Sequence, residues 1–128
     1  MKKQYFPYTT NGSGDATVYC NGLAAPNNAI IGEMCGLAYL PGSTDTGATV
    51  TVTAEGIASH TLYVKATAGT SNLFVHPREL IHNSSDGAAL TGTSGGDRAE
   101  PIIDGSIKVV ISAGGATKTG AVIVYYED

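Results

Sequence analysis

Residues 105–128 read GSIKVVISAGGATKTGAVIVYYED, two apolar runs joined across Gly114-Gly115. The second run, Gly120 to Tyr126, is apolar on both of its alternating faces. Ala121, Ile123 and Tyr125 lie on one, Val122, Val124 and Tyr126 on the other. A strand with one wet face alternates with polar residues, whereas one covered on both sides reads as a continuous apolar run. The stretch therefore predicts two strands joined by a Gly-rich turn, the last of them covered on both faces. The cover is either the rest of its own domain or another chain.

Working outward, the rest of the chain repeats the period of two. Thr49-Val50-Thr51-Val52-Thr53-Ala54 sets threonines on one face and apolar residues on the other, a half-buried strand. Glu55-Gly56-Ile57-Ala58 is short enough for a hairpin loop. It leads into Ser59–Ala66, with Leu62, Val64 and Ala66 on one face and Thr61, Tyr63 and Lys65 on the other. Further strands are expected at Ala16–Cys20, at Ala29–Leu40 with a bend, a bulge or the close approach of another backbone at Gly32 and Gly36, and at Asn72–His76. Pro77–Ile81 is compatible with one helical turn, because proline suits a first helical position. Residues 83–96, rich in Asn, Ser, Asp, Gly and Thr, read as a loop. No window has the i, i+3, i+4 spacing of an amphipathic helix.

Seven or eight short strands with frequent turn signals make an all-β, antiparallel sandwich or jelly roll with little or no helix. The expected interior is Val18, Leu37, Val50, Val52, Leu62, Val64, Leu73, Val75, Ile107, Val109, Ile111, Val122 and Val124. At 128 residues one such domain is expected. It is placed at 15–128, after an N-terminal aromatic arm at 1–14.

That arm opens with Tyr5-Phe6-Pro7-Tyr8, a proline among three aromatics, which favours extended backbone and a large apolar contact. Two readings stand: an edge strand folded back on its own sandwich, or an arm docked on a neighbour. Tyr5, Phe6 and Tyr8 are the first candidate partner-binding residues. Arg78 and Arg98 are the others, because arginine is enriched at interface hot spots. The polar loop from His82 to Arg98 is long enough to reach a partner.

Charge and chemistry narrow the function. Charged residues are 14% of the chain, glycine fills 17 positions, and the formal charge is −4. Small uncharged side chains lose little rotamer freedom on contact, which suits adhesion and assembly. Nucleic acid is not an expected partner, since phosphate binding needs clustered cations and only Lys2-Lys3 are adjacent. No run reaches the ~18–20 apolar residues of a membrane helix, so no membrane partner is expected. Gln4–Gly14 lacks the apolar core of a signal peptide. The chain is thus expected to be made and kept in a cytosol, with Cys20 and Cys35 as reduced, small hydrophobes.

His60, His76 and His82 fit no common metal-pair spacing, and no nucleophile elbow, phosphate loop or calcium loop is present. No catalytic residue, metal or cofactor is expected, and the chain is not read as an enzyme.

The segments FVHPRELIHNSSDGAAL (74–90) and IIDGSIKVVISAGGATKTGAVIVYYE (102–127) carry a Pro-Arg after a strand, an Asp-Gly turn and a closing G-x-V-x-V-Y-Y. In these features the last 55 or so residues resemble the capsid decoration, or cement, proteins of tailed bacteriophages. The resemblance implies a β-rich fold, a homo-oligomer with a trimer favoured, and the major capsid protein as partner. It also implies a place on the outer capsid surface of a virion, after synthesis in the host cytoplasm, where the protein stabilises contacts between capsomers. Another virion component, such as a tail, fibre-base or head-fibre domain, is a second possibility. A carbohydrate-binding β-sandwich is a third; seven tyrosines support it and the lack of tryptophan opposes it.

Overall fold

The computed structural model describes residues 1–56, 59–80 and 98–128. Its strands are β1 (Lys2–Thr9), β2 (Ala16–Val18), β3 (Ala29–Leu40), β4 (Thr49–Glu55), β5 (His60–Lys65), β6 (Leu73–Val75), β7 (Glu79–Leu80), β8 (Arg98–Ala99), β9 (Ile102–Ser112) and β10 (Thr119–Glu127). Eight of them form one antiparallel sheet in the order β1-β10-β3-β9-β4-β5. β2 is added on β9 and β6 on β3, while β7 and β8 pair separately. The only helical element among the described residues is a short 3-10 turn, Cys20–Gly22. The expected all-β, sandwich-like fold is what the chain adopts.

One sheet becomes two layers because β3 and β9 are long enough to belong to both. The first residues of β3, Ala29–Glu33, pair with Ser106–Ile102 of β9. Beyond them the two strands part. β3 continues between β10 and β6, and β9 between β4 and β2. One layer is therefore β1-β10-β3-β6 and the other β2-β9-β4-β5, with strands changing layer at the corner. Gly105, at φ +101, lies at this corner, and a Cβ there would run into the backbone of Glu55 and Gly56. The Asp104-Gly105 pair thus twists a continuous strand instead of ending it.

Side chains of both layers fill one core: Phe6, Tyr8, Leu37, Tyr39, Val122 and Val124 from the first, Val18, Val50, Val52, Ile107, Val109 and Ile111 from the second. Two of its hydroxyls meet, Tyr8 Oη donating to Tyr39 Oη at 3.5 Å, and Thr44 Oγ1 lies 2.7 Å from Tyr8 Oη. Burial first, and then the hydrogen bond with Tyr8, pushes the Tyr39 phenol up from its ordinary value.

Three expectations are corrected. Residues 1–14 are not a separate arm: β1 pairs with β10 from Lys2↔Tyr126 to Thr9↔Thr119, and Gln4, Phe6 and Tyr8 point into the core. Of the two readings, the edge strand is the one the structure shows. Val64, expected inside, is 58% exposed. A bulge opposite Val52/Thr53 turns both Leu62 and Tyr63 toward the core and reverses the alternation after them. Glu79 and Leu80, read as part of a helical turn, pair as a strand with Ala99 and Arg98. Leu73 and Val75 are partly buried, packed on the rim of the core. Cys20 is buried and Cys35 half-buried, and both are free thiols. The loop read at 83–96 lies outside the described residues.

Candidate binding face

The layer β1-β10-β3-β6 has a second, outward side, and its composition is unusual for a surface. Directly opposed residues of neighbouring strands share a face, and the register lines up Tyr5, Ile123, Ala38 and Phe74 across all four strands. The next row holds Lys3, Tyr125 and Gly36. On the other side of the first row come Pro7, Ala121 and Leu40. Tyr5 is 47% and Phe74 57% exposed. The face thus carries Tyr5 and Phe74 at its two edges and Ile123 and Tyr125 on the inner strand β10, with Ala38, Ala121 and Gly36 forming the floor.

Its aromatic side chains are held in place. The Phe74 ring sits 5.5 Å from that of Tyr125 and 5.0 Å from that of His76, separations at which aromatic pairs attract. Gly36 makes room beneath it: a Cβ there would stand 3.1 Å from Phe74 Cζ. The ring therefore lies over the glycine, shielding backbone that a side chain would otherwise cover. Beside Tyr5 the surface dips into an open depression of about 520 Å³, bordered by Pro7, Thr9, Leu40, Asn72, Thr119 and Ala121. No ionisable group other than tyrosine borders it.

The candidate residues read from the sequence are scattered by the fold. Tyr5 is on the face. Phe6 and Tyr8, neighbours in sequence, are buried beneath it and face away. Arg78 follows β6, donating to the Pro77 carbonyl at 2.7 Å and approaching Glu100 at 3.9 Å. Arg98 lies in β8, its backbone opposite Leu80; the rest of the polar loop that it closes lies outside the described residues. Phe74, Tyr125 and Ile123 complete the face and were not among the candidates. The signal for Phe74 was present, because setting Leu73 and Val75 inside leaves Phe74 outside.

Among the described residues, no three His, Cys, Asp or Glu side chains come together as metal ligands. No helix there is long and apolar enough to cross a membrane. Compared with protein-family models, with curated proteins and with solved structures, the chain matches none.

Proposed function

We propose that this chain is a non-enzymatic structural protein of a phage virion that binds the outer capsid surface and stabilises contacts between capsomers. The observation that carries this reading is the outward face Tyr5-Ile123-Ala38-Phe74, an aromatic surface on a paired sheet with no cluster of metal-ligating side chains among the described residues. The segment that resembles the decoration proteins supplies β6, β9 and β10, hence Phe74, Ile123 and Tyr125. The partner is the major capsid protein, and the working form is a homo-oligomer, with a trimer favoured.

The size of the face supports repetition over single-site binding. Four strands at about 4.8 Å spacing and five residues at about 3.4 Å rise give roughly 300 Å² of footprint. A stable one-to-one interface needs about 800 Å² per partner. One such contact is weak, but several on a rigid oligomer gain ~10²–10⁴ in avidity on a repeating lattice. The test is to mix the purified protein with shells lacking it and measure co-sedimentation. Saturable binding at a fixed ratio to capsid protein supports the reading, and no binding to mature or immature shells rejects it.

A second reading rests on the depression beside Tyr5. An exposed phenol ring next to Thr9, Asn72 and Thr119 is a surface on which a neutral sugar can stack and hydrogen-bond. A glycan array with hits lost in Tyr5→Ala would favour it over capsid binding.

A further inference from the structure

The corner where β3 passes to β9 carries a second exposed patch, distinct from the aromatic face. Ile31 stands opposite Asp104, and Glu33 opposite Ile102. Opposed residues share a side of the sheet with Cβ atoms about 5 Å apart, and diagonal ones are about 7–8 Å apart. The four side chains therefore form a checkerboard, two isoleucines on one diagonal and two carboxylates on the other. The intervening Ile30 and Ile103 face the core. Ile31 is 79% and Ile102 61% exposed.

The field around the patch is negative. Among the described side chains neither Glu33 nor Asp104 meets a cation within ion-pair distance, whereas the N-terminus, Lys2, Arg78 and Lys108 are each held by other carboxylates. Glu127 lies directly opposite Glu33 on β10. Burial first, and then the carboxylates of Glu100 and Glu127, push the nearby Cys35 thiol up, with the N-terminal amine pulling the other way and Glu33 adding a smaller push.

We propose that Ile31, Glu33, Ile102 and Asp104 dock a basic, aliphatic-bearing segment of a partner protein, its lysines or arginines flanking a side chain laid on the isoleucines. The charge balance argues for a different protein over a second copy. This chain has 11 acidic against 7 basic residues, and several of the basic ones are already paired. Opposite charge steers such an encounter and fixes its register, while the isoleucines supply the area. The inference rests on the adhesive role proposed above and adds the chemistry of what is bound.

The test needs no shells. The ¹⁵N-labelled full chain is titrated with a blocked peptide of alternating lysine and valine, and with its glutamate counterpart. Shift changes confined to residues 30–34 and 102–105, given by the lysine peptide alone and weakened by 0.5 M salt, are expected. Glu33→Gln with Asp104→Asn should weaken that binding about three- to tenfold. Ile31→Ser with Ile102→Ser should abolish the localised shifts while the spectrum stays dispersed. Equal response to both peptides, shifts centred elsewhere, or indifference to these substitutions would overturn the proposal. Peptide binding without binding to shells would reject the capsid reading and leave this site standing.

Discussion

The two outer faces of the sandwich are built on the same backbone and differ in what they show to water. On β2-β9-β4-β5 the register runs Thr17, Val110, Thr51, Val64 and, one row on, Lys108, Thr53, Thr61. Lys108 Nζ reaches Glu55 Oε1 at 2.6 Å. Threonine favours strands through its branched Cβ and still offers water a hydroxyl, so this face is stable when wet. On β1-β10-β3-β6 the corresponding rows are Tyr5, Ile123, Ala38, Phe74 and Lys3, Tyr125, Gly36. Equal strand content with such unequal polarity teaches that the aromatic face is not a requirement of the fold. The first layer would fold as well with threonines there, which makes the face the place to look for binding.

The severest way to break the comparison is to remove the backing of the aromatic face. Phe6 is fully buried directly beneath it, and Phe6→Ala should cost about 3–5 kcal/mol by urea unfolding. Deleting residues 1–8 should leave no cooperative transition at all, since β10 would lose one of its two neighbours and the core would lose Phe6 and Tyr8. A deletion variant that unfolds cooperatively near the parent midpoint would show that β1 is only an accessory strand.

The next test sharpens the functional contrast. Tyr5→Ser with Phe74→Ser should reduce co-sedimentation with shells at least tenfold, while stability falls by no more than about 1–2 kcal/mol. Thr17→Ser with Thr51→Ser on the opposite layer should leave binding unchanged. Equal losses from both pairs would dissolve the distinction between the faces. Gly36→Ala is a subtler probe: by displacing the Phe74 ring it should weaken binding a few-fold, read in the same sedimentation assay, while the strand remains paired.

The smallest effect lies on the threonine face. The Lys108 hydrogen bond, and then that of Ser59, lowers the Glu55 pKa, and Glu55 in turn raises that of Lys108. A lowered carboxyl favours folding above its unfolded pKa of about 4.3, and that contribution is lost as pH falls through the folded value. A raised lysine contributes below about 10.4 and loses its share as pH rises through the folded value. Lys108→Met should therefore remove about 0.2–1 kcal/mol between pH 5 and 10 and converge with the parent below pH 4, measured by urea midpoints. A constant difference down to pH 2 would assign the effect to packing.

The period of two made most of this architecture legible. It placed β3, β4 and β10 to within a few residues and put Leu37, Val50, Val52, Val109 and Val122 rightly inside, but it left Phe6, Tyr8, Met34, Tyr39 and Ile103 out of the interior. It failed where one residue interrupts the period, as at the Leu62–Tyr63 bulge, because a bulge is set by the partner strand and leaves no mark in its own sequence. A proline among aromatics made β1 look detachable, and Lys2 and Lys3 stand at its start. Both features in fact suit an edge strand, where a missing donor and surface charge discourage further pairing. The binding face was half legible. Tyr125 and Ile123 belonged to the apolar side whose cover was in question, but that they meet Tyr5 and Phe74 depends on strand order, which alternation does not encode.

The passage of β3 and β9 through both layers has a mechanical consequence. A tug applied at Phe74 or Ile123 is shared along β3 into β9 and from there to β4, so that many backbone hydrogen bonds are loaded in shear together. The layers cannot slide apart or peel open one rung at a time. The strands attached along a single side, β1, β2, β5 and β6, are the ones placed to unzip, and under tension they should give way before β3, β9, β4 and β10.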